Sequence, residues 1–383
     1  MATQGVYEGL LKFSLRLYKQ TACKDAQVDN IVCSPLVIAA GICTLLVGAQ
    51  NTTAKELHSV LQVKASIDRL RDYFTEHITD LTTYAPYASM RVTSRTYSEQ
   101  ELPLNANYAP RVKSFFETTV KSVDFRHSHE AARQEVNAWV SQQTASKIRD
   151  LIPPGIVNAG TSSILLSAVC VQGFWRSPFQ WRNTRPQEFH VDSKNSVMVN
   201  MLYQDGSYKM AHSEVLRVRA LEIPCKGDKV SMVIVLPDAQ DGLALLQERL
   251  TPTRLCRLLS NLRLVMNVEL SLPKFTINSS IALKDMLCAL GAKELFSPFC
   301  ADLSGMFESD RPPLADVIHR TFLQVDEGGM DAALWCAMTT SAGCASLPFY
   351  TKRFIVDHPF MFLIKANEPD VVLCLGSVRK PRT

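Results

Sequence analysis

Between Ser163 and Val171 the chain reads Ser-Ile-Leu-Leu-Ser-Ala-Val-Cys-Val, with no charge and no alternation of polar and apolar side chains. Successive side chains of a strand point to opposite faces of its sheet, so such a run is stable only where both faces are covered. This run therefore demands a layered fold built on a central strand. Val230 to Leu236, closed by Pro237 and Asp238, makes the same demand. Val268 to Phe275 alternates instead, with Val268, Leu270 and Leu272 set against Glu269, Ser271 and Lys274, as for a strand with one face in the core. Phe354 to Lys365 and Val371 to Gly376 read as closing strands.

The segments that cover these strands come mostly before them. Val6, Leu10, Phe13 and Leu17 share one face of an N-terminal helix. Ser34 and Pro35 open a second helix, the hydroxyl as cap and the proline at the first helical position. From Leu36 to Val47 that helix is apolar all round and is expected to be buried. Thr53 and Glu56 have the spacing of a capping box for a third helix, and Ser66 to Leu81 is amphipathic. Glu130 to Asp150 carries Ala132, Val136, Trp139, Val140 and Ile148 along one side, with Pro153-Pro154-Gly155 as its stop. Ile281 to Leu290 returns to helix and ends at Gly291. Helices first, strands later and no βαβ rhythm give an α+β fold class. The 383 residues show no linker or repeat, so a single domain over 1–383 is expected.

The bulk numbers exclude several functions. Forty-one basic against 37 acidic residues, with no block of like charge, predict neither a nucleic-acid groove nor a membrane anchor. No apolar run reaches the ~18 residues that span a bilayer. The N-terminus does not read as a signal peptide. Sequons at Asn51 and Asn278 favour a mature secreted protein, extracellular, with the cytoplasm as the alternative. The eleven cysteines are scattered and never spaced CxxC, which reads as buried free thiols, Cys336 and Cys344 excepted. No GxSxG, HExxH, GxGxxG or GxxxxGK[ST] motif occurs. His127 and His129 fall in a polar turn, His358 in a structural one, and no histidine has metal-ligand spacing. Neither catalysis nor a metal nor a cofactor is expected.

One stretch fits no element. Gly328 to Tyr350 reads GGMDAALWCAMTTSAGCASLPFY, with Asp331 as its only charge. A structureless segment this long in a compact domain is usually functional. The residues around it resemble the serpin family, and the match extends over nearly the whole chain. Asn30-Ile-Val-Cys-Ser34-Pro35-Leu36, Leu46-Val-Gly48-Ala49, Asn137-Ala-Trp139-Val140 and Lys147-Ile148-Arg-Asp150-Leu151-Ile152 follow the family's motifs in order. So do Gly173-Phe-Trp175, Leu272-Pro273-Lys274-Phe275, Ala301-Asp302-Leu303-Ser304-Gly305, Val325-Asp326-Glu327-Gly328-Gly329 and Asp357-His358-Pro359-Phe360. The closing stretch is most similar to serpins of ticks.

The resemblance implies three β-sheets, eight or nine helices and an exposed reactive-centre loop over about 328–350. It implies a protease inhibitor that acts as a suicide substrate. The target cuts the loop, and the freed hinge enters the main sheet as a new strand, a known instance of strand addition and of strain released by proteolysis. The hinge would be Glu327, Gly328, Gly329, Met330, Asp331, Ala332, Ala333, Leu334 and Trp335. Met330 and Leu334 would face the core, and Asp331 and Trp335 the solvent side. Leu334 and Trp335 replace the small residues usual there, so a non-inhibitory binding or carrier role is the alternative. Lys274 would pair with Glu327 beside Trp175. Ser34, His319 and Ser167 would sit beneath the opening sheet. Ser167 replaces the family's Asn, which should leave His319 partly unpaired.

The family's spacing from Glu327 puts the cut at Gly343-Cys344, with Ala342, Cys344 or Leu347 also open. No Lys or Arg lies between Gly328 and Thr351, so a trypsin-like target lacks its basic bait. An elastase-like, chymotrypsin-like or cysteine protease is expected as partner, with the molecule a monomer. Lys64, Arg69 and Arg71 offer a weak glycosaminoglycan site, but Asp68 and Asp72 among them favour a solvated face.

Overall fold

The computed structural model describes residues 2–24, 30–83, 87–116, 118–308, 312–331, 351–367 and 370–382, and their side chains except at 2–4, 23–24, 77–83, 114–116 and 370. Nine α-helices stand among the described residues. They are α1 Ala2–Lys24, α2 Pro35–Gly48, α3 Asn51–Leu61, α4 Ile67–Thr83 and α5 Tyr108–Phe116. α6 Phe125–Gln143, α7 Leu243–Arg249, α8 Pro252–Ser260 and α9 Lys284–Leu290 follow. The strands begin with β1 Asn30–Cys33, β2 Ala88–Glu99, β3 Thr119–Val123, β4 Ser163–Phe174 and β5 Arg185–His190. Next come β6 Ser196–Ser213, β7 Val218–Pro224, β8 Val230–Pro237, β9 Arg263–Pro273 and β10 Phe275–Ala282. β11 Asp316–Val325, β12 Gly329–Met330, β13 Lys352–Ile355, β14 Phe360–Asn367 and β15 Asp370–Val378 complete them.

The main sheet has six strands in the order β10-β11-β12-β4-β2-β3. The other nine form one ladder, β1-β15-β14-β8-β7-β6-β9-β13, with β5 also on β6. That ladder has two halves, because the register of β6 against β9 shifts between Gly206 and Tyr208. Before the shift β6 pairs with β5, and after it with β7. The three sheets implied by the resemblance are thus the six-stranded sheet and these two halves.

Burial explains the layering. All of α2 is buried, and Ser34 caps it by accepting from the Val37 N–H. α2 lies in the largest core with Leu165, Val169 and Val171 of β4. Ile164, Leu166, Ala168 and Cys170, on the opposite face of β4, pack with Val136 and Val140 of α6. Both faces of the Ser163–Val171 run are therefore covered, as its composition requires.

Local readings differ in three places. Thr53 lies inside α3, whose cap position is Gln50. The Thr53 hydroxyl donates to Glu294 and accepts from the Asp302 N–H, while Glu56 accepts from the N–H groups of Lys293 and Glu294, so both side chains tie α3 to the 293–302 segment instead of capping it. α6 ends at Gln143, well before Asp150, because Ala145 and Ser146 adopt left-handed φ values of 49° and 62°. Ile281 and Ala282 belong to β10, and α9 begins at Lys284.

Candidate functional site

Along most of their length β4 and β11 pair directly and in parallel, from Ile164 and Asp316 to Cys170 and Phe322. Above that point they part. β12 occupies the gap and runs antiparallel to both, with Met330 opposite Val325 and Gly173, and Gly329 opposite Phe174. Gly329 has φ 155°, and a Cβ there would lie 1.9 Å from the Gly173 oxygen, so only glycine can pass. Gly173 in turn makes room for the fully buried Met330: a Cβ on it would meet Met330 Cε at 2.8 Å and Cys225 Sγ at 2.9 Å.

The turn that delivers β12 is anchored on every side. The Gly328 and Gly329 N–H groups donate to Asp326 Oδ1 at 2.9 and 3.2 Å. The buried Trp175 donates from Nε1 to the Asp326 carbonyl at 2.9 Å, and its N–H to the Gly328 carbonyl at 2.9 Å. Glu327 accepts from Lys274 Nζ at 2.8 Å on one oxygen and from Thr184 Oγ1 at 2.8 Å on the other. Burial pushes the Glu327 carboxyl up, but the Lys274 ammonium, with backbone and Thr184 donors, outweighs it and holds the group below its ordinary value. Asp326 goes the other way, because burial dominates over its two backbone donors.

Midway down the seam His319 is fully buried opposite its register partner Ser167. Its Nε2 accepts from the Ser34 N–H at 3.0 Å, and Thr321 Oγ1 lies 2.9 Å from the same nitrogen. A backbone N–H only donates, so Nδ1 carries the proton and donates to Ser167 Oγ at 2.8 Å. Burial pushes the His319 pKa down to about 3, and the ring is neutral at pH 7. The expected shortfall at His319 is absent: direct registry in a parallel ladder brings the short serine into reach. The Ser34 hydroxyl donates to the Leu373 carbonyl at 2.7 Å.

Asp331 overturns a second expectation. It does not face solvent: its side chain is 1% exposed, 2.6 Å from Lys147 Nζ. Gln172 Nε2 donates to its other oxygen at 3.2 Å. Nothing in the sequence near Asp331 announces Lys147, Gln172 or Thr184. Ala332, Ala333, Leu334, Trp335, Gly343 and Cys344 lie outside the described residues, as do Cys336, Ala342 and Leu347.

Elsewhere, His127 is exposed and 3.2 Å from Glu101, on the first turn of α6 just before a kink at the non-helical Ser128. His358 is buried between Asp357 and the Pro237 carbonyl. Arg71 pairs with Asp68 and Asp72, while Lys64 and Arg69 are exposed. Cys33, Cys43, Cys170, Cys225 and Cys374 are buried thiols, while Cys300 is exposed. No group of three metal-ligating side chains occurs among the described residues. No helix among them is long and apolar enough to cross a membrane.

A family model described as Serpin (serine protease inhibitor) matches residues 8–381. Iris, from the tick Ixodes ricinus, is 42% identical over 373 residues, covering 97% of this chain and 98% of its own. Leukocyte elastase inhibitor A of Mus musculus is 31% identical over 375 residues, covering 96% and 97%. The crystal structure of Serpin48, described as a highly specific serpin in the insect Tenebrio molitor, superposes with a TM-score of 0.85 at 27% identity over all of both chains. The ordered motifs, the α+β architecture and these similarities agree: the chain belongs to the serpin family, the serine protease inhibitors.

Proposed function

We propose that this chain, as one domain over 1–383, inhibits a protease by suicide: the target cuts the loop that follows Asp331, and the freed hinge fills the β4/β11 seam. The molecule supplies no catalytic group; the hydrolytic machinery is the target's. The observation that carries this reading is β12, a strand of two residues already seated antiparallel between β4 and β11. The Lys274–Glu327 pair and Trp175 fix the point where it enters, and Ser34, Ser167 and His319 line the path below.

Continuing the register of Met330 gives each hinge residue a destination. Ala332 would lie between Val171 and Leu323, and Leu334 between Val169 and Thr321, both on the core face. Ala333 and Trp335 would lie on the α6 face, Trp335 between Ala168 and Arg320. That place is crowded: Ala168 packs in the α6 cluster, and Arg320 donates to the Asp150 carbonyl. This observation favours a second reading, in which slow insertion leaves a non-inhibitory serpin that is cut as a plain substrate.

The absence of Lys and Arg from Gly328 to Tyr350 argues for a target with a small or apolar pocket, and the match to a leukocyte elastase inhibitor points the same way. Gly343-Cys344 is the assigned cut. An extracellular monomer is the form in which we expect it to act, without a glycosaminoglycan, since Arg71 is neutralised by Asp68 and Asp72. Incubation with elastase and with chymotrypsin, followed by a denaturing gel, tests the proposal. Trapping gives a band at the summed mass. Cutting the loop should also raise the melting temperature by at least about 10 °C, at about 1 °C per kcal/mol for a chain this long. A clip with neither change overturns the inhibitor reading, and trapping gained by Trp335→Ala would locate the obstacle.

A further inference from the structure

Asp331 is where the inserted strand stops. Its N–H still donates to the Gln324 carbonyl at 2.7 Å, the partner that strand register requires. Its own φ is +49°, so the backbone leaves the extended conformation of a strand at this residue. A further inserted residue needs Asp331 in extended conformation. Its carboxylate, buried and held by Lys147 and Gln172, opposes that change. A buried carboxylate that loses its cation bears an uncompensated charge, so the contact resists stretching more than a surface ion pair does.

Lys147 is delivered with equal specificity. It follows Ala145 and Ser146, both left-handed and neither glycine, on the turn that ends α6. Strained residues persist only where their surroundings over-determine them. Three such residues flank this one ion pair, on two segments far apart in sequence. Lys147 Nζ also lies 5.3 Å from the centre of the Phe322 ring, and Phe322 belongs to the last residue pair of the closed seam. The ion pair therefore bridges the point where β4 and β11 part.

We propose that Lys147 and Gln172 act as positioning residues that latch the hinge at two inserted residues, so that release of Asp331 from Lys147 precedes any further entry of the bait loop. The inference rests on the loop-insertion reading, but its test does not need a protease. Hydrogen–deuterium exchange of the peptide containing Met330 is measured in the uncut protein by mass spectrometry. Lys147→Met and Asp331→Asn should each speed exchange there about tenfold, as expected for loss of a charge-assisted hydrogen bond. The double variant should exchange no faster than the faster single one, and Lys147→Arg should stay near the wild-type rate. Unchanged exchange in the single variants, additive effects in the double variant, or a Lys147→Arg rate equal to that of Lys147→Met would overturn the latch. Failure of cut protein to gain stability would sink loop insertion while leaving these exchange ratios readable.

Discussion

Midway along the β4/β11 seam, His319, Ser167 and Ser34 meet as neutral groups; at its upper end Glu327 meets Lys274 and Asp331 meets Lys147 as ions. The two places differ in their access to water. The upper groups sit where the chain enters the sheet, and their partners keep partial contact with water: Lys147 is 31% and Lys274 29% exposed. Charges there keep part of their solvation, and under the proposed insertion water can take the place of either partner. The middle lies under the sheet, where an ion would have to shed its hydration entirely. A histidine kept neutral by burial holds the strands together there without that cost, and its bonds run sideways, to β4 and to the start of α2. Opening the middle thus breaks hydrogen bonds in an apolar core, whereas opening the top separates charges next to water.

The largest expected effect tests the neutral middle. His319→Ala removes the acceptor of the Ser34 N–H and leaves a cavity, at a cost of about 4 kcal/mol at pH 7.5 read from urea midpoints. The sign with pH follows from the depressed pKa. An unfolded histidine titrates near ~6.5, and the native one only at about 3, so below ~6.5 the unfolded state binds a proton that the native state refuses. Wild-type stability from this group is full above ~6.5 and falls by about 1.4 kcal/mol per pH unit below it. The gap between wild type and variant should therefore shrink by about 1.4 kcal/mol from pH 7.5 to pH 5.5. A gap that does not change with pH would mean that the imidazole binds its proton in the fold as readily as in the unfolded chain, and a gap that widens on acidification would mean that it is charged in the fold.

The same contrast shows what the sequence could disclose. Motif order picked out Lys274 and Glu327, which pair, and Ser34, Ser167 and His319, which meet, because each is carried by a local pattern. Burial on both faces of β4 was legible from its uniform apolar run. The latch was not, because helical periodicity ran α6 on to Asp150. The left-handed residues Ala145 and Ser146 end the helix and free Lys147 to reach Asp331, a contact across 184 positions with no local signature. The His319 pairing was misjudged for a related reason. Side-chain length suggested a gap at Ser167, while the strand register that closes it is a property of the assembled sheet.

At the upper end the expected effect is smaller and has a different pH window. Lys274→Met leaves the Glu327 carboxylate with Thr184 as its remaining side-chain donor. The cost is about 2 kcal/mol, the usual worth of a partly buried hydrogen bond to a charged group. Glu327 titrates below its ordinary value in the native state, so its contribution is present above the unfolded value of ~4.3 and is lost as pH falls through the lower folded one. The difference between variant and wild type should stay flat from pH 7.5 to 5.5, where that at His319 shrinks. Parallel behaviour at the two sites would erase the distinction between an ionic top and a neutral middle.

The smallest effect separates two serines that face each other across the sheet. Ser167 and Ser94 are register partners on β4 and β2. Ser167 Oγ accepts from His319, whereas the buried Ser94 Oγ has no hydrogen-bond partner. Ser167→Ala should cost about 1 kcal/mol, since it strands the Nδ1 proton of a buried ring. Ser94→Ala removes a hydroxyl that already lacks a partner and should leave stability within about 0.5 kcal/mol or raise it. Urea midpoints at pH 7.5 read both. If Ser94→Ala proves the more damaging, the hydroxyl that closes the seam is on β2 and not on β4. The neutral middle would then be fastened through β2, away from the β4/β11 seam.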